Sequence, residues 1–369
     1  MNQMKTFDNY RVFKTMFAGR ELVVETGKTC ELSNGSCWVR YGETVVMANV
    51  TASVKPREGV DFFPLSVDYE ERLYSVGRIP GSFMKREGKP SEKAILTSRV
   101  VDRPIRPLFP KDMRNDVSVV MTVLAVDPDN SPEIVGMIAT SIAISISDIP
   151  WNGPIGGIAQ CLVGSEMCIR DSVGLVDGEI VLNPTLEQRA RNDLNLTVAG
   201  TKDKVVMIEA GANEVDDDTM LNAIIAGHTE IKKLVAFISD IQAQIGKKKF
   251  EFESMEVDHD MFDAIEEFAA DRVKVALDTD DKNKREEMLN PIKDDIHAKF
   301  DELYPEKTAM IDECIYKLQK KIVRNWLYEG KRVDGRGIDD IRPLAAEVGV
   351  LPRVHGSGLF TSCLLYTSP

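Results

Sequence analysis

Residues 116–150, DVSVVMTVLAVDPDNSPEIVGMIATSIAISISDIP, predict a strand followed by a helix. The first part is an apolar run of strand length. In the second part, Ser131 has the position of a helix cap, Pro132 and Glu133 follow in the first turn, and Pro150 marks the end. The helix is apolar nearly all round and rich in small residues, so we expect it to be buried against a sheet.

Short strands on both sides of this stretch extend the pattern. Residues 20–53 alternate Val-rich and Thr-rich runs with Gly and Asn, which predicts an antiparallel meander. Residues 173–184 predict a hairpin, residues 193–211 two more strands, and residues 220–238 a second helix. Strands, helix, strands and helix together predict an α+β domain over residues 8–240 with a mixed β-sheet.

Two further regions follow this domain. Residues 241–328 predict a linker and a small all-α domain, because the composition becomes highly charged with apolar residues at helical spacing. At residues 329–361 the character changes again, and GSGLFT at 356–361 resembles GSCWVR at 35–40. We interpret residues 329–361 as the truncated start of a second copy of the first domain.

Two stretches do not fit their surroundings. CLVGSEMCIRDS at 161–172 and SCLLYTSP at 362–369 contain half of the six cysteines and share no periodicity with their neighbours. We interpret both as foreign peptides from sequencing adapters, and expect a poorly packed excursion at 160–172. The alternative is a genuine insertion and tail.

Charge is distributed unevenly along the chain. Residues 72–114 contain eleven Lys or Arg and four Asp or Glu, whereas the whole chain has a net charge of −13 and the remainder therefore about −20. A cationic segment on an acidic protein suggests a polyanion bound at one place. Within it, SFMKREGKP combines Phe83 with Lys85, Arg86 and Lys89, which suits stacking of a base between flanking phosphates.

A helix follows that loop. Ser91 is the expected cap, and Pro104 predicts an end near Asp102 because proline disfavours helix in the preceding residue. Arg99 and Arg103 lie four apart and would project from one face. The alternative interpretation is that the basic residues form salt bridges with the acidic surface or stabilise a subunit contact.

Composition limits the chemistry and the compartment. The cysteines show no metal-ligand spacing and the four histidines are scattered, so we expect free thiols and neither a metal cluster nor a histidine-based triad. No apolar run approaches membrane-spanning length and the N-terminus lacks a signal-like segment, so we expect a cytoplasmic protein. The sequence contains no nucleophile motif. That is compatible with a reaction on RNA in which inorganic phosphate is the nucleophile.

Several long motifs, in order, closely resemble the bacterial polynucleotide phosphorylase family. They are VDYEERLYSVGRIPGSFMKREGKPSEKAILTSRVVDRPIRPLFP at 67–110, DPDNSPEIVGMIATSIAISISDIPWNGPIG at 127–156, VDGEIVLNPT at 176–185, LNLTVAGT at 194–201 and KRVDGRGIDDIRPL at 331–344. The resemblance implies two RNase PH-like domains separated by a small helical domain, followed in the family by RNA-binding domains. It also implies a homotrimeric ring that threads single-stranded RNA, and possible partners in an RNA-degradation assembly. The implied activity is 3′-to-5′ phosphorolysis of mRNA with phosphate as co-substrate and Mg²⁺, releasing nucleoside diphosphates, with polymerisation as the reverse reaction.

The resemblance implies functional residues only in the first domain. SFMKREG matches the family's aromatic and arginine loop, so Phe83, Lys85 and Arg86 are RNA-contact candidates, and Arg99 and Arg103 match arginines near the RNA path. The family's phosphate-binding serines and Mg²⁺-binding acids belong to the second domain, so we transfer no catalytic or metal residue and predict that these 369 residues alone are inactive. The alternatives are a non-catalytic RNA-binding scaffold subunit and a plain phosphate-binding or nucleotide-binding α+β protein.

Overall fold

The computed structural model describes residues 7–57, 60, 62–81, 88–158, 173–176, 179–185, 192–252, 254, 258–279, 281–305 and 307–361. The chain divides into two compact units after Ser254. The stretches 161–172 and 362–369 lie outside the described residues. The prediction of a poorly packed excursion at 160–172 therefore also concerns residues outside the described part of the chain.

A six-stranded sheet organises the first unit, in the order β1-β2-β3-β4-β6-β5. Its strands are β1 Arg11–Phe17, β2 Arg20–Thr26, β3 Gly35–Tyr41, β4 Thr44–Pro56, β5 Leu65–Glu70 and β6 Asn115–Ala125. Strands β2 to β4 form the predicted antiparallel meander. Strands β5 and β6 pair in parallel, so the chain between them has to cross over the sheet. That crossover is the basic segment.

Helix α2 (Pro132–Ile146) supplies the core of this unit. Every one of its residues is buried, and it packs on β3, β4 and β6. A Cβ atom on Gly35 would lie 2.2 Å from the carbonyl oxygen of Ala143, so glycine is what allows β3 to begin this close to the helix. The Ser131 hydroxyl donates to the Glu133 carboxylate and caps no backbone N–H. The helix predicted before Pro150 is thus confirmed, and it ends four residues earlier.

A second sheet and a long helix complete the unit. The sheet runs β11-β10-β8-β9, and β7 also pairs with β10. Its strands are β7 Gly156–Ile158, β8 Val173–Val176, β9 Glu179–Leu182, β10 Asn192–Gly200 and β11 Val205–Ala212. Helix α3 (Asp217–Ile245) packs against α2, β7 and β10. The α+β class with a mixed sheet is confirmed, because β5 and β6 pair in parallel within the first sheet. The strands β1, β5 and β7 of this unit are ones that the sequence interpretation did not include.

The crossover contains helix α1 (Glu92–Ile105) between two short 3-10 turns, Leu73–Val76 and Arg106–Leu108. The prediction that this helix ends near Asp102 is wrong, since it continues through Pro104. Val101, Pro104 and Ile105 are buried in the core, and the Trp151 indole N–H donates to the Ile105 carbonyl over 3.1 Å. Burial therefore outweighs the local cost of proline in the last helical turn.

Residues 247–252 contain no helix or strand but are held firmly to the end of α2. The Lys249 ammonium donates to the carbonyls of Ile144, Ser145 and Ser147 over 3.0, 3.1 and 2.7 Å. Burial lowers the pKa of Lys249 to about 8, against an opposing effect of Asp148, so the group is still mainly charged at pH 7. A cation is favourable at a helix C-terminus, where backbone carbonyls lack their usual intrahelical partners; the Ile144 carbonyl also accepts from Ser147.

The second unit consists of α4 (His259–Leu277), α5 (Lys282–Leu303), α6 (Thr308–Tyr328) and an antiparallel pair, β12 (Ala345–Val348) and β13 (Gly358–Thr361). The three helices share their own apolar core, which includes Ile265, Phe300 and Leu318. All residues of β12 and β13 are exposed.

Candidate nucleic-acid interface

Helix α1 carries the predicted basic residues of the crossover. The Ser91 hydroxyl accepts a hydrogen bond from the Ala94 N–H over 3.0 Å, which confirms the predicted cap. Ala94, Thr97 and Val101 face the core, while Arg99 and Arg103 are exposed on the opposite side. The two arginines therefore share the solvent face of α1, as their spacing predicts.

Both ends of α1 are fixed to neighbouring elements. At its start, the Lys93 ammonium lies 2.9 Å from the carboxylate of Glu133 in the first turn of α2. Just after its end, the Arg106 guanidinium binds both carboxylate oxygens of Asp102 at 2.9 and 2.7 Å and donates to the carbonyls of Phe63 and Leu65. A bidentate pair of this kind restricts orientation strongly. The positions of Arg99 and Arg103 are consequently set by a rigid helix.

Apart from Arg114, which donates to the carbonyls of Lys111 and Met113, the described basic residues of the crossover fall into two groups. Those that pair with a carboxylate are Arg72, Lys93, Arg103 and Arg106. Those that are exposed and have no ion pair within the part of the chain that the structure describes are Arg78, Lys89, Arg99 and Lys111. The interpretation that the basic residues form salt bridges is thus correct for the first group. The second group forms an exposed cationic surface.

Arg99 and Arg103 differ in their partners. Arg103 lies 3.7 Å from the Glu209 carboxylate on β11, with 60% of the arginine side chain exposed. An ion pair this long and this exposed contributes at most about 1 kcal/mol. Arg103 can therefore leave Glu209 and bind a phosphate at little cost in free energy. Arg99 has no ion pair among the described residues that a phosphate would have to replace.

Phe83, Lys85 and Arg86 lie outside the described residues. The described chain resumes at Gly88, and the loop's stems are residues 72–81 and 88–91. Two apolar residues, Ile95 and Leu96, lie on the same face of α1 as the arginines and are 49% and 45% exposed. The sequence interpretation did not include them. Their positions four and three residues before Arg99 place them on that helix face and could have predicted their exposure.

Metal ligands and reactive thiols are the other groups that a functional site can offer. No cluster of three or more His, Cys, Asp or Glu in those residues could hold a metal ion. Cys37 and Cys314 are free thiols, and burial raises the pKa of both, to about 11 for Cys314, so neither is an activated nucleophile.

No helix in the described part of the chain combines the length and the apolarity that a membrane span requires.

Family models match three parts of the chain. Residues 18–150 match the 3′ exoribonuclease family, domain 1, and residues 170–230 match domain 2 of the same family. Residues 260–337 match the RNA binding domain of polyribonucleotide nucleotidyltransferase.

Curated relatives extend the match to nearly the whole chain. It is 56% identical over 352 residues to the polyribonucleotide nucleotidyltransferase of Ruminiclostridium cellulolyticum, 51% identical over 351 residues to that of Caldicellulosiruptor bescii and 51% identical over 356 residues to that of Clostridioides difficile. Each match covers 95% of this chain and 48 to 49% of the relative, so the chain spans about half the length of the curated relatives it matches. A solved structure of rice (Oryza sativa) Rrp46 is similar at a TM-score of 0.46 and 14% identity, covering 63% of this chain and 94% of Rrp46, which is too little to support an argument.

Proposed function

This chain belongs to the polyribonucleotide nucleotidyltransferase family, and on that premise we propose that it supplies the first RNase PH-like core of a phosphorolytic 3′-to-5′ exoribonuclease of mRNA. In this reaction an oxygen of inorganic phosphate attacks the phosphorus of the 3′-terminal linkage. The bond to the preceding 3′ oxygen breaks, a nucleoside diphosphate leaves, and the RNA is one residue shorter. The observation that carries the proposal is the long match to relatives of that name across nearly the whole chain.

Within this function, the chain's own role is to bind single-stranded RNA. We assign the contacts to Phe83, Lys85 and Arg86 of the loop and to Arg99 and Arg103 of α1. The exposure of both arginines on a helix fixed at each end supports the assignment. Phosphates bound by such side chains give affinity without sequence preference.

Phosphate is the co-substrate in this proposal, and Mg²⁺ is expected from the family. The described residues do not fit a metal site, because they contain no group of three or more suitable ligands. We therefore assign no metal-dependent step to the described residues, and expect these 369 residues alone to bind RNA without phosphorolysis.

We further propose a homotrimeric ring in the cytoplasm, with contacts to other proteins of RNA degradation. The long match to polyribonucleotide nucleotidyltransferases supports this proposal. The domain boundaries 8–240, 241–328 and 329–361 also remain proposals. Helix α3 runs through position 240, and the division between the compact units falls later, after Ser254.

The test is a pair of assays on oligoadenylate. The 369-residue chain should bind it with a log affinity that falls linearly with log salt, at about −0.7 per phosphate contact. A chain extended to the length of its relatives should release ADP only when phosphate is present. Absence of RNA binding would contradict the proposed role of this core, and phosphate-dependent ADP release by the 369 residues alone would contradict their predicted inactivity. Binding by the extended chain without any ADP release would instead favour the scaffold subunit.

A further inference from the structure

Helix α6 of the second unit reverses the charge of the sequence that precedes it. Residues 258–313 contain eighteen Asp or Glu and eight Lys or Arg, a net charge of −10. Residues 314–328, which form the rest of α6, contain four Lys or Arg and no Asp or Glu. A cationic helix in an acidic domain attracts a polyanion to that helix, because the rest of the domain repels it.

The cations lie on the side of α6 that faces solvent. The opposite side belongs to the core of this unit and includes Cys314, Leu318 and Ile322. Lys320 and Arg324 are exposed and lie four residues apart, so they project from one face of the helix. Their separation along the helix axis is about 6 Å. Two long side chains at this spacing can contact neighbouring phosphates of one flexible strand.

These cations have no partner that a ligand would have to displace. Lys321, on the flank of the helix, pairs with Glu266 of α4 at 2.6 Å. In contrast, Lys317, Lys320 and Arg324 form no ion pair among the described residues. The solvent side of α6 therefore stays positive within an acidic unit.

Aromatic side chains lie at both ends of the same face. Tyr316 comes four residues before Lys320 and Tyr328 four residues after Arg324, and the two tyrosines are 59% and 77% exposed. The Arg324 Nε donates to the Tyr328 hydroxyl over 3.4 Å, so the cation and the ring lie side by side. Nucleobases stack on exposed rings of this kind whatever their identity. We call Tyr316, Lys317, Lys320, Arg324 and Tyr328 the α6 outer face.

The order of these side chains favours one class of polyanion. An acidic peptide requires the cations alone. A lipid surface requires an apolar helix face, and that of α6 is buried in the core. A single-stranded nucleic acid uses all five residues, because its bases stack on the rings while its phosphates bind the cations between them.

We propose that the α6 outer face is a second binding surface for single-stranded RNA. The phosphates bind Lys320 and Arg324, with Lys317 beside them, and the bases stack on Tyr316 and Tyr328. The identity of the strand as RNA rests on the proposed function, but the surface contains none of the residues that are assigned there.

The test measures binding of labelled oligoadenylate to the 369-residue chain by anisotropy at several salt concentrations. Lys320→Ala with Arg324→Ala should weaken binding about tenfold and make the salt slope less steep by roughly 0.7 for each lost phosphate contact. Tyr316→Ala with Tyr328→Ala should weaken binding about fivefold or more and leave the slope unchanged, because stacking releases no counterions.

Lys274→Ala with Lys284→Ala is the matched control. These lysines of α4 and α5 are exposed and have no ion pair among the described residues, so the control removes the same charge from the same unit. Thermal melts establish that each variant is folded. An equal loss of affinity and slope in the control and in the Lys320 and Arg324 variant would overturn the inference.

Two other results would assign the α6 outer face to a different ligand. If the tyrosine variant binds like the wild type while the charge variant is weakened, no base stacks on the rings and the inference is wrong. It is equally wrong if polyglutamate competes as strongly as unlabelled oligoadenylate, since the ligand is then an acidic peptide.

Failure of the inference can be told apart from failure of the proposed function. Binding that is lost in Arg99→Ala with Arg103→Ala and unchanged by the α6 substitutions would overturn the inference alone. Binding that depends on α6 and not on those arginines would support the inference and contradict their assignment. If the wild type binds no oligoadenylate the inference is wrong, and phosphate-dependent ADP release by the extended chain still decides the proposed function.

Discussion

Glu133 is a carboxylate in the first turn of α2 that is only 7% exposed, and Lys93 is the cation beside it. A buried charge is tolerated only when it is paired, because it has lost its hydration. The Lys93 side chain belongs to the segment whose charge predicts RNA binding, but in the folded protein it fixes the start of α1 to α2.

Replacing Lys93 by Met should lower the free energy of unfolding by about 2 kcal/mol, since the buried Glu133 carboxylate is left without its cation. Urea denaturation followed by circular dichroism measures the change. Lys282→Met is the matched control, because its pair with Glu286 is 3.7 Å long with side chains 81% and 62% exposed. The control should change stability by about 0.5 kcal/mol or less. Equal effects of the two substitutions would show that Glu133 does not depend on Lys93.

Arg99 and Arg103 make the RNA assignment testable at single positions. Replacing both by Ala should weaken oligoadenylate binding about tenfold and make the salt slope less steep by roughly 0.7 for each phosphate that the variant no longer binds. Anisotropy titrations between low and moderate salt measure both quantities.

Arg57→Ala provides the control for that experiment. Its side chain is 59% exposed and pairs with Asp116, so it matches Arg103 in exposure and pairing but lies outside the crossover. The assignment fails if Arg57→Ala reduces affinity and slope as much as the α1 substitutions do.

Among the helices of the second unit, α5 and α6 are joined by a titratable residue. His297 of α5 lies 3.1 Å from Asp312 of α6 and 3.3 Å from Asp301 of its own helix. Burial alone would lower the pKa of His297, but the hydrogen bonds to Asp312 and Asp301 raise it above the usual value.

The sign of the resulting pH dependence follows from linkage. Because the folded pKa is raised, the stabilisation by His297 is complete below its unfolded pKa of about 6.5 and is lost as pH rises through the folded value. We expect the stability difference between wild type and His297→Gln to be larger at pH 6 than at pH 8.5. Urea denaturation of both proteins at the two values measures it, and a difference independent of pH would refute the pairing.

Helix α1 shows where an element's bounds depend on packing. Its cap at Ser91 follows from local chemistry and was predictable. Its continuation through Pro104 was not, because the burial of Ile105 and the hydrogen bond from Trp151 come from residues that the helix meets only in the folded protein. Lys249 is similar, since its three carbonyl partners lie about a hundred residues earlier in the chain.

At the scale of the whole molecule, the described residues form two hydrophobic cores, one in each compact unit. The core of α4, α5 and α6 contains Phe300, which is 2% exposed and stacks on Tyr304 with the ring centroids 6.4 Å apart. A segment of a protein that has its own hydrophobic core can in principle fold without the rest of the chain.

We therefore expect residues 258–336 to fold alone, with a helical circular dichroism spectrum and a cooperative thermal transition. Phe300→Ala should destabilise this piece by about 3–5 kcal/mol and abolish the transition. Tyr316→Ala, at a position that is 59% exposed, should change stability by about 0.5 kcal/mol or less. A non-cooperative transition in the unsubstituted piece would argue against an independent domain.

The sequence by itself determined the α+β class, the meander β2 to β4, the buried helix α2 and the basic segment, because hydrophobic period, cap residues and local charge are properties of neighbouring residues. The tertiary structure alone decided which basic side chains remain exposed. Lys93 pairs with Glu133 and Arg103 with Glu209, and in each case the partner lies far away in sequence. Charge can be counted along a chain, but pairing and enclosure are decided by distance in the folded protein.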